Sequence, residues 1–125
     1  MDINLPEIHA EMCAVFARYE DALVNNKVDV LDELFWPSEF TVRYGAGENL
    51  RGIEAIRAFR LARPSTGLAR TLDHTVITTF GRDFATTSTE FHRRGSSNIG
   101  RQQQTWVRFA EGWRVVAAHV SVLIV

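Results

Sequence analysis

The chain has 125 residues, a length typical of one domain with a core of its own, so we expect a single domain over residues 1–125. Its 14 Lys and Arg residues nearly balance 15 Asp and Glu residues, and the net charge is -1. Because the basic residues are also scattered, neither nucleic acid nor an anionic membrane is the expected partner. The single cysteine, Cys13, excludes an intramolecular disulfide.

The N-terminal sequence has neither the basic start nor the apolar core of a secretory signal, and no apolar run approaches the ~20 residues that span a bilayer. We therefore expect a cytoplasmic protein. The four histidines are dispersed, and the short motifs of phosphate loops, zinc sites and nucleophilic serines are absent. These observations favour a site without a metal or a cofactor.

The first predicted element is a helix that begins after Asn4, the expected N-cap, with Pro6 in its first turn. Apolar residues recur at steps of three and four until two asparagines end the pattern: Leu5, Ile8, Met12, Val15, Phe16, Tyr19 and Leu23. Tyr19 therefore lies on a buried stripe. Its phenol is either a core aromatic with its hydroxyl at the surface or a reactive group that points into a cavity.

A short second helix is predicted over residues 28–35, as a flank of the fold, and a third helix over residues 52–63; a proline follows each. Between them, residues 40–44 predict a first strand. Because side chains alternate along a strand, Arg43 and Tyr44 point to opposite faces. Arg43 is either a surface arginine or a buried one that meets a carboxylate.

Two pairs of strands complete the chain. The Thr-rich runs 68–80 and 84–94 are split by Gly81-Arg82-Asp83 and predict a hairpin. The segment 100–125 contains two further runs, split by Ala110-Glu111-Gly112, and predicts a second hairpin. Together the two hairpins predict a four-stranded antiparallel meander.

Alternation in the last run places five residues on one face of the strand: Trp113, Val115, Ala117, His119 and Ser121. Both faces of this strand are largely apolar, so we expect helices to cover one face of the sheet and a second subunit the other. His119 and Ser121 interrupt one of these faces, and a buried imidazole beside a hydroxyl needs partners or a function. The glutamines at 102–104 are candidates for the polar interior, where only the parity that faces the helices can line a pocket; the alternative for Gln102 and Gln104, or for Gln103, is an exposed sheet face.

The order helix, helix, strand, helix and four long strands resembles the nuclear-transport-factor-2-like (NTF2-like) superfamily, also described as SnoaL-like or cystatin-like. The segments ARYEDALVNNKVDVLDELFW, NLRGIEAIRAFR and EGWRVVAAHVS carry this resemblance. Within the superfamily, the segments ELFW, TVRYGAGENL, GLARTL, VITTFGRDFAT, GRQQQTWVRF and GWRVVAAHVS resemble the oxalurate-catabolism and AtzH-like family. The resemblance spans nearly the whole chain. It implies a cone-shaped α+β fold, with three N-terminal helices packed on a strongly curved antiparallel sheet.

The family is associated with bacterial catabolism of ureido compounds, and the AtzH type is a decarboxylating amidohydrolase that converts dicarboxyurea to allophanate. The resemblance implies a tyrosine of the first helix and an arginine of the first strand as site residues, which match Tyr19 and Arg43. Arg43 would hold a carboxylate of the anionic ligand with two hydrogen bonds. Tyr19 or His119 would deliver a proton to nitrogen as carbon dioxide leaves.

Two hypotheses stay open, because members of this superfamily have many functions on one scaffold. The first is an enzyme that acts on a small ureido anion. The second is a non-catalytic accessory protein that dimerises and binds a small carboxylate. We expect Tyr19, Arg43 and His119 to line one pocket between the first helix and the sheet, with substrate-binding walls from Tyr44, Trp106 and Ser121. We also expect a homodimer through the convex face of the sheet.

Overall fold

The computed structural model describes all 125 residues, Met1–Val125. Three helices and six strands follow in the order α1 (Pro6–Val24), α2 (Val28–Leu34), β1 (Val42–Tyr44), β2 (Asn49–Arg51), α3 (Ile53–Ala62), β3 (Thr71–Phe80), β4 (Phe84–His92), β5 (Ile99–Phe109) and β6 (Gly112–Leu123). The predicted order is confirmed with one addition, the short strand β2. Only α1 and α2 precede the sheet, because α3 follows β1 and β2. No helix combines the length and the apolar character that crossing a membrane requires.

The strands form one curved, unclosed sheet in the order β2-β1-β6-β5-β4-β3. Strands β3 to β6 are the predicted antiparallel meander. The sheet is mixed rather than antiparallel throughout, because β1 pairs with β6 in parallel. We call the face covered by the helices the inner face, and the opposite one the outer face.

The core lies between α1 and the inner face. Five residues of the predicted α1 stripe are buried: Ile8, Met12, Phe16, Tyr19 and Leu23. They cluster with Trp106 and Val115 of the sheet and with Leu31 and Leu34 of α2. Burial of each large apolar side chain contributes about 1.5–3 kcal/mol, so this packing fixes the position of α1 and of the tyrosine that it carries.

The start of α1 differs from the prediction. The N-cap is Leu5, with no side-chain capping hydrogen bond, rather than Asn4. Asn4 instead binds the edge strand β3, where its backbone N–H donates to Thr79 O at 3.0 Å and its Oδ1 accepts from Thr79 N at 2.8 Å. The asparagine therefore satisfies backbone groups of an edge strand, which otherwise lack partners.

A β-bulge divides β6 into two parts with opposite alternation. Trp106 of β5 pairs with Val115, whereas the preceding residue, Thr105, pairs with Ala117, so Val116 is an extra residue. An inserted residue exchanges the two faces of a strand beyond it. Val115 faces the core before the bulge, and Ala118 faces it afterwards. The predicted continuous face from Trp113 to Ser121 is therefore wrong beyond Val115.

Candidate active site

Three of the six predicted site residues lie on the inner side of the sheet: Tyr19, Arg43 and Trp106. Tyr19 is 4% exposed, and its ring meets the ring of Trp106 edge-on at 6.1 Å between centroids. Arg43 pairs with Ala118, which packs against the core, and its guanidinium carbon lies 5.4 Å from the centre of the Phe59 ring in α3. Arg43, and not Tyr44, is therefore the β1 residue that faces the helices.

The other three residues lie on the outer face: Tyr44, His119 and Ser121. The rings of Tyr44 and His119 meet edge-on at 6.1 Å, and His119 and Ser121 line an open polar groove of about 490 Å³. The bulge at Val116 is the reason, because it turns His119 away from the face of Val115. The structure thus places Tyr19 and Arg43 on the inner side of the sheet and His119 on its outer face.

Two arginines of the inner side have carboxylate partners. Arg43 Nη1 donates to Glu48 Oε2 at 2.8 Å, and Arg60 Nη1 donates to Asp32 Oδ1 at 3.1 Å. Burial lowers the pKa of Arg60 from its ordinary value, while an ionised Tyr19 phenol and, after it, Asp32 oppose this effect. Arg60 and Tyr19 also share a neighbour, because the centre of the Phe35 ring lies 4.2 Å from the guanidinium carbon of Arg60 and 6.4 Å from the centre of the Tyr19 ring.

Arg70 forms the most enclosed ion pair of the site. Its side chain is 2% exposed, and its Nε and Nη2 donate to the two carboxylate oxygens of Glu20 at 2.9 and 2.7 Å. Nη2 also donates to Gln102 Oε1 at 3.1 Å. Because a guanidinium can only donate, this contact fixes the orientation of the Gln102 amide. The Nε2 of Gln102 is therefore left as a buried donor without a protein acceptor.

A second chain of hydrogen bonds fixes the amide of Gln104. Trp106 Nε1 donates to Thr87 Oγ1, and Thr87 Oγ1 donates to Gln104 Oε1, both at 3.1 Å. An indole N–H can only donate, so the Thr87 hydroxyl accepts from it and turns its own proton to the glutamine. The Nε2 of Gln104 therefore also remains a buried donor without a protein acceptor.

Arg63, which ends α3, has no carboxylate partner. Its Nε and Nη2 are buried and have no hydrogen-bond acceptor in the protein. Burial lowers the pKa of Arg63 from its ordinary value; an ionised Tyr19 opposes the effect, and the like charges of Arg43, Arg93 and Arg70 add to it. Arg63 is thus a poorly compensated positive charge close to Tyr19 and Arg43.

The inner site is consequently rich in donors and poor in free acceptors. The unpaired buried donors come from Arg63, Gln102 and Gln104. Each buried donor without an acceptor costs about 1–3 kcal/mol, so such a cluster is typical of a site that binds an acceptor-rich ligand. A small carboxylate fits this description. No group of three or more His, Cys, Asp and Glu side chains is placed to hold a metal ion.

From the sequence, Gln102 and Gln104 were interior candidates whose face stayed open, and Arg63 was not a candidate. For the glutamines a signal was present, because Gln102 and Gln104 share the parity of Trp106 in β5, and all three are buried. For Arg63 we find no such signal, since its environment is created by α1 and β1.

The model of the AtzH-like family matches residues 1–124 of the chain. The crystal structure of a protein of unknown function from Pectobacterium atrosepticum is 66% identical, with a TM-score of 0.97, and the match covers 98% of this chain and 95% of that chain. A cystatin-like fold protein from Burkholderia xenovorans is 48% identical, with a TM-score of 0.96, over 100% of this chain and 98% of that chain.

An NTF2-like protein of unknown function from Pseudomonas putida is 16% identical, with a TM-score of 0.74, over 92% of this chain and 86% of that chain; this likeness concerns the fold alone. A comparison with curated protein sequences found no match. The family model spans almost the whole chain, and the structural neighbours share its helices and sheet. The chain therefore belongs to the AtzH-like family and has the NTF2-like, cystatin-like fold.

Proposed function

We propose that this protein is an enzyme that removes one N-carboxylate, as carbon dioxide, from a small ureido dicarboxylate such as dicarboxyurea. The observation that carries the proposal is the placement of the Tyr19 phenol, buried on the inner side of the sheet beside Arg60 and Arg63. Membership of the AtzH-like family supports the same substrate class.

The reaction is a protonation coupled to the loss of carbon dioxide. The bond between the ureido nitrogen and the departing carboxylate carbon breaks, and its electron pair stays on nitrogen. Nitrogen takes a proton from the Tyr19 hydroxyl, and the products are carbon dioxide and allophanate. The resulting phenolate is stabilised by the nearby guanidinium groups of Arg60 and Arg63, and a proton from water restores the phenol.

Arg43 positions the substrate in this scheme. Glu48 occupies one of its nitrogens, Nη1, so the remaining guanidinium donors can still hold a carboxylate of the ligand. His119, the other acid suggested by the sequence, is exposed on the outer face and makes no contact with the inner site. We therefore assign the proton transfer to Tyr19.

The test is an assay of carbon dioxide and allophanate release from freshly made dicarboxyurea, with the uncatalysed decay subtracted. Tyr19→Phe removes only the hydroxyl, so we expect kcat to fall about 100-fold or more while the melting temperature stays nearly unchanged. His119→Gln is the matched control, because it removes the other candidate acid from the outer face. Its kcat should stay within about twofold of wild type.

Two outcomes would contradict the proposal. If His119→Gln abolishes turnover and Tyr19→Phe does not, the proton donor lies on the outer face. If the wild-type protein merely matches the uncatalysed rate but takes up carboxylates in calorimetry, the protein is an accessory carboxylate binder rather than an enzyme.

A further inference from the structure

Arg63 has the hydrogen-bonding edge of a carboxylate clamp. The two nitrogens without an acceptor, Nε and Nη2, lie side by side on the guanidinium, which is the geometry that grips both oxygens of a carboxylate. Arg70 uses the same two nitrogens to hold Glu20, at 2.9 and 2.7 Å. The chain thus contains one guanidinium edge that a carboxylate fills and a second that no protein carboxylate fills.

The charges around Arg63 indicate that its partner is an anion from outside the chain. Three nearby arginines are each neutralised by a carboxylate: Arg43 by Glu48, Arg60 by Asp32 and Arg70 by Glu20. The fourth, Arg93, forms no ion pair either and donates to the backbone oxygen of Gly67 at 2.7 Å. Arg63 receives only repulsion from its arginine neighbours. Arg63 is half-buried, so its unpaired charge is only partly hydrated, and a bound anion would offset the cost of that lost hydration.

The two glutamines, Gln102 and Gln104, offer further hydrogen-bond donors to oxygen atoms of a ligand. The Oε1 of Gln102 is occupied by Arg70 and the Oε1 of Gln104 by Thr87, so both amides present only N–H groups. An N–H group that is held in place by fixed neighbours needs no reorganisation when it binds an oxygen. The cluster therefore suits a ligand with several oxygen acceptors and disfavours one that presents amide N–H groups in their place.

We propose that Arg63, Gln102 and Gln104 form a second anion subsite, which binds the carboxylate opposite to the one held by Arg43 and so selects small dicarboxylates over monocarboxylates and neutral amides. The identity of the natural substrate rests on the function proposed above. The subsite itself rests on the unpaired donors and on the missing countercharge of Arg63.

The experiment is titration calorimetry with three stable probes: glutarate, which has the chain length of dicarboxyurea, its neutral diamide glutaramide, and the monoanion butyrate. We expect the wild-type protein to bind glutarate at least about tenfold more tightly than either other probe. Arg63→Gln should weaken glutarate binding about 10- to 100-fold, the range expected for loss of a charged hydrogen-bonded pair. Arg57→Gln is the control, since this arginine lies on the same helix with an exposed side chain paired with Glu54.

Several results would overturn the subsite. They are equal affinity of the wild-type protein for glutarate and glutaramide, no glutarate binding at all, and unchanged glutarate affinity in a folded Arg63→Gln variant. Should that variant fail to fold, the wild-type probe series decides alone. Binding that depends on Arg63 without turnover of dicarboxyurea would refute the proposed function and leave the subsite standing. Turnover of dicarboxyurea by Arg63→Gln with a normal KM would refute the subsite and leave the proposed function standing.

Discussion

Glutamine side chains have different environments on the two faces of the sheet. Gln103, on the outer face, is exposed and donates only to Ser88, at 3.2 Å. Its neighbours Gln102 and Gln104 are 3% and 2% exposed on the inner face, where an arginine and a threonine fix their amides. Three consecutive, chemically identical residues therefore divide into two buried amides and one solvent-facing amide.

The volume of a surface groove is a poor indicator of the binding site in this protein. The outer groove is large, about 490 Å³, but it is polar and open, and hydrogen bonds and charges at an open surface are screened by water. The inner site contains ion pairs and donors that are shielded from water. Shielded groups interact more strongly, and groups without partners there are more costly, so the chemistry is expected on the inner face.

The largest expected difference between the faces is the effect of removing a carboxylate charge. Glu20→Gln leaves Arg70 buried without its countercharge and should destabilise the protein by about 3 kcal/mol, at the low end for a broken buried pair because the amide still accepts one hydrogen bond. Glu90→Gln, on the outer face, should change the unfolding free energy by less than about 0.5 kcal/mol. Chemical denaturation measures both; equal effects would show that the inner charges are hydrated as well.

A smaller difference is expected within the glutamine run. Gln104→Leu removes the acceptor of the Thr87 hydroxyl and also the unpaired Nε2 donor, and these two effects oppose each other. We expect a net loss of about 1 kcal/mol in unfolding free energy. Gln103→Leu, one residue away on the outer face, should stay within about 0.5 kcal/mol of wild type. If denaturation finds the two variants equally stable, the hydrogen-bond chain from Trp106 does not hold the amide.

The smallest expected effect on the fold comes from a substitution in the centre of the outer face. We propose that this face, which no helix covers, carries the homodimer contact; Ala117 is exposed there beside a pocket of about 230 Å³ that Val42 and Tyr44 also line. Ala117→Arg should convert a dimer to a monomer in sedimentation with little change in melting temperature. Leu61→Arg, on the exposed side of α3, should remain dimeric. A wild-type monomer at micromolar concentration would refute the proposal.

The outer face of the sheet, where we propose the dimer contact, is less apolar than the sequence predicted. The expectation of an outer face as apolar as the inner face came from strict alternation through Val115 to Val122. With the bulge at Val116, the outer side of β6 carries Ala117, His119 and Ser121 instead. Any contact between copies through this face would be largely polar, and such interfaces depend on hydrogen bonding and fit rather than on apolar area alone.

Local patterns in the sequence were enough to predict the helices and the two hairpins of this protein and the burial of Tyr19. Apolar residues at helical spacing placed Tyr19 in the core, and the glycines at 81 and 112 marked the turns of two hairpins, both with positive φ in the structure. These features are local, since a helical stripe or a turn is set by residues within a few positions of each other. The choice of Arg43 for the inner site came from the family resemblance.

The face that each later residue occupies, and the charges that meet, follow only from the packing of the whole chain. His119 lies on the outer face because a bulge in the pairing of β5 with β6 shifts the alternation by one residue, and nothing within β6 alone announces it. Arg70 meets Glu20 from 50 positions away, whereas Arg63 meets no carboxylate at all. Such partners are separated along the chain and joined only by packing, so the uncompensated guanidinium that carries our second proposal becomes visible only in the folded protein.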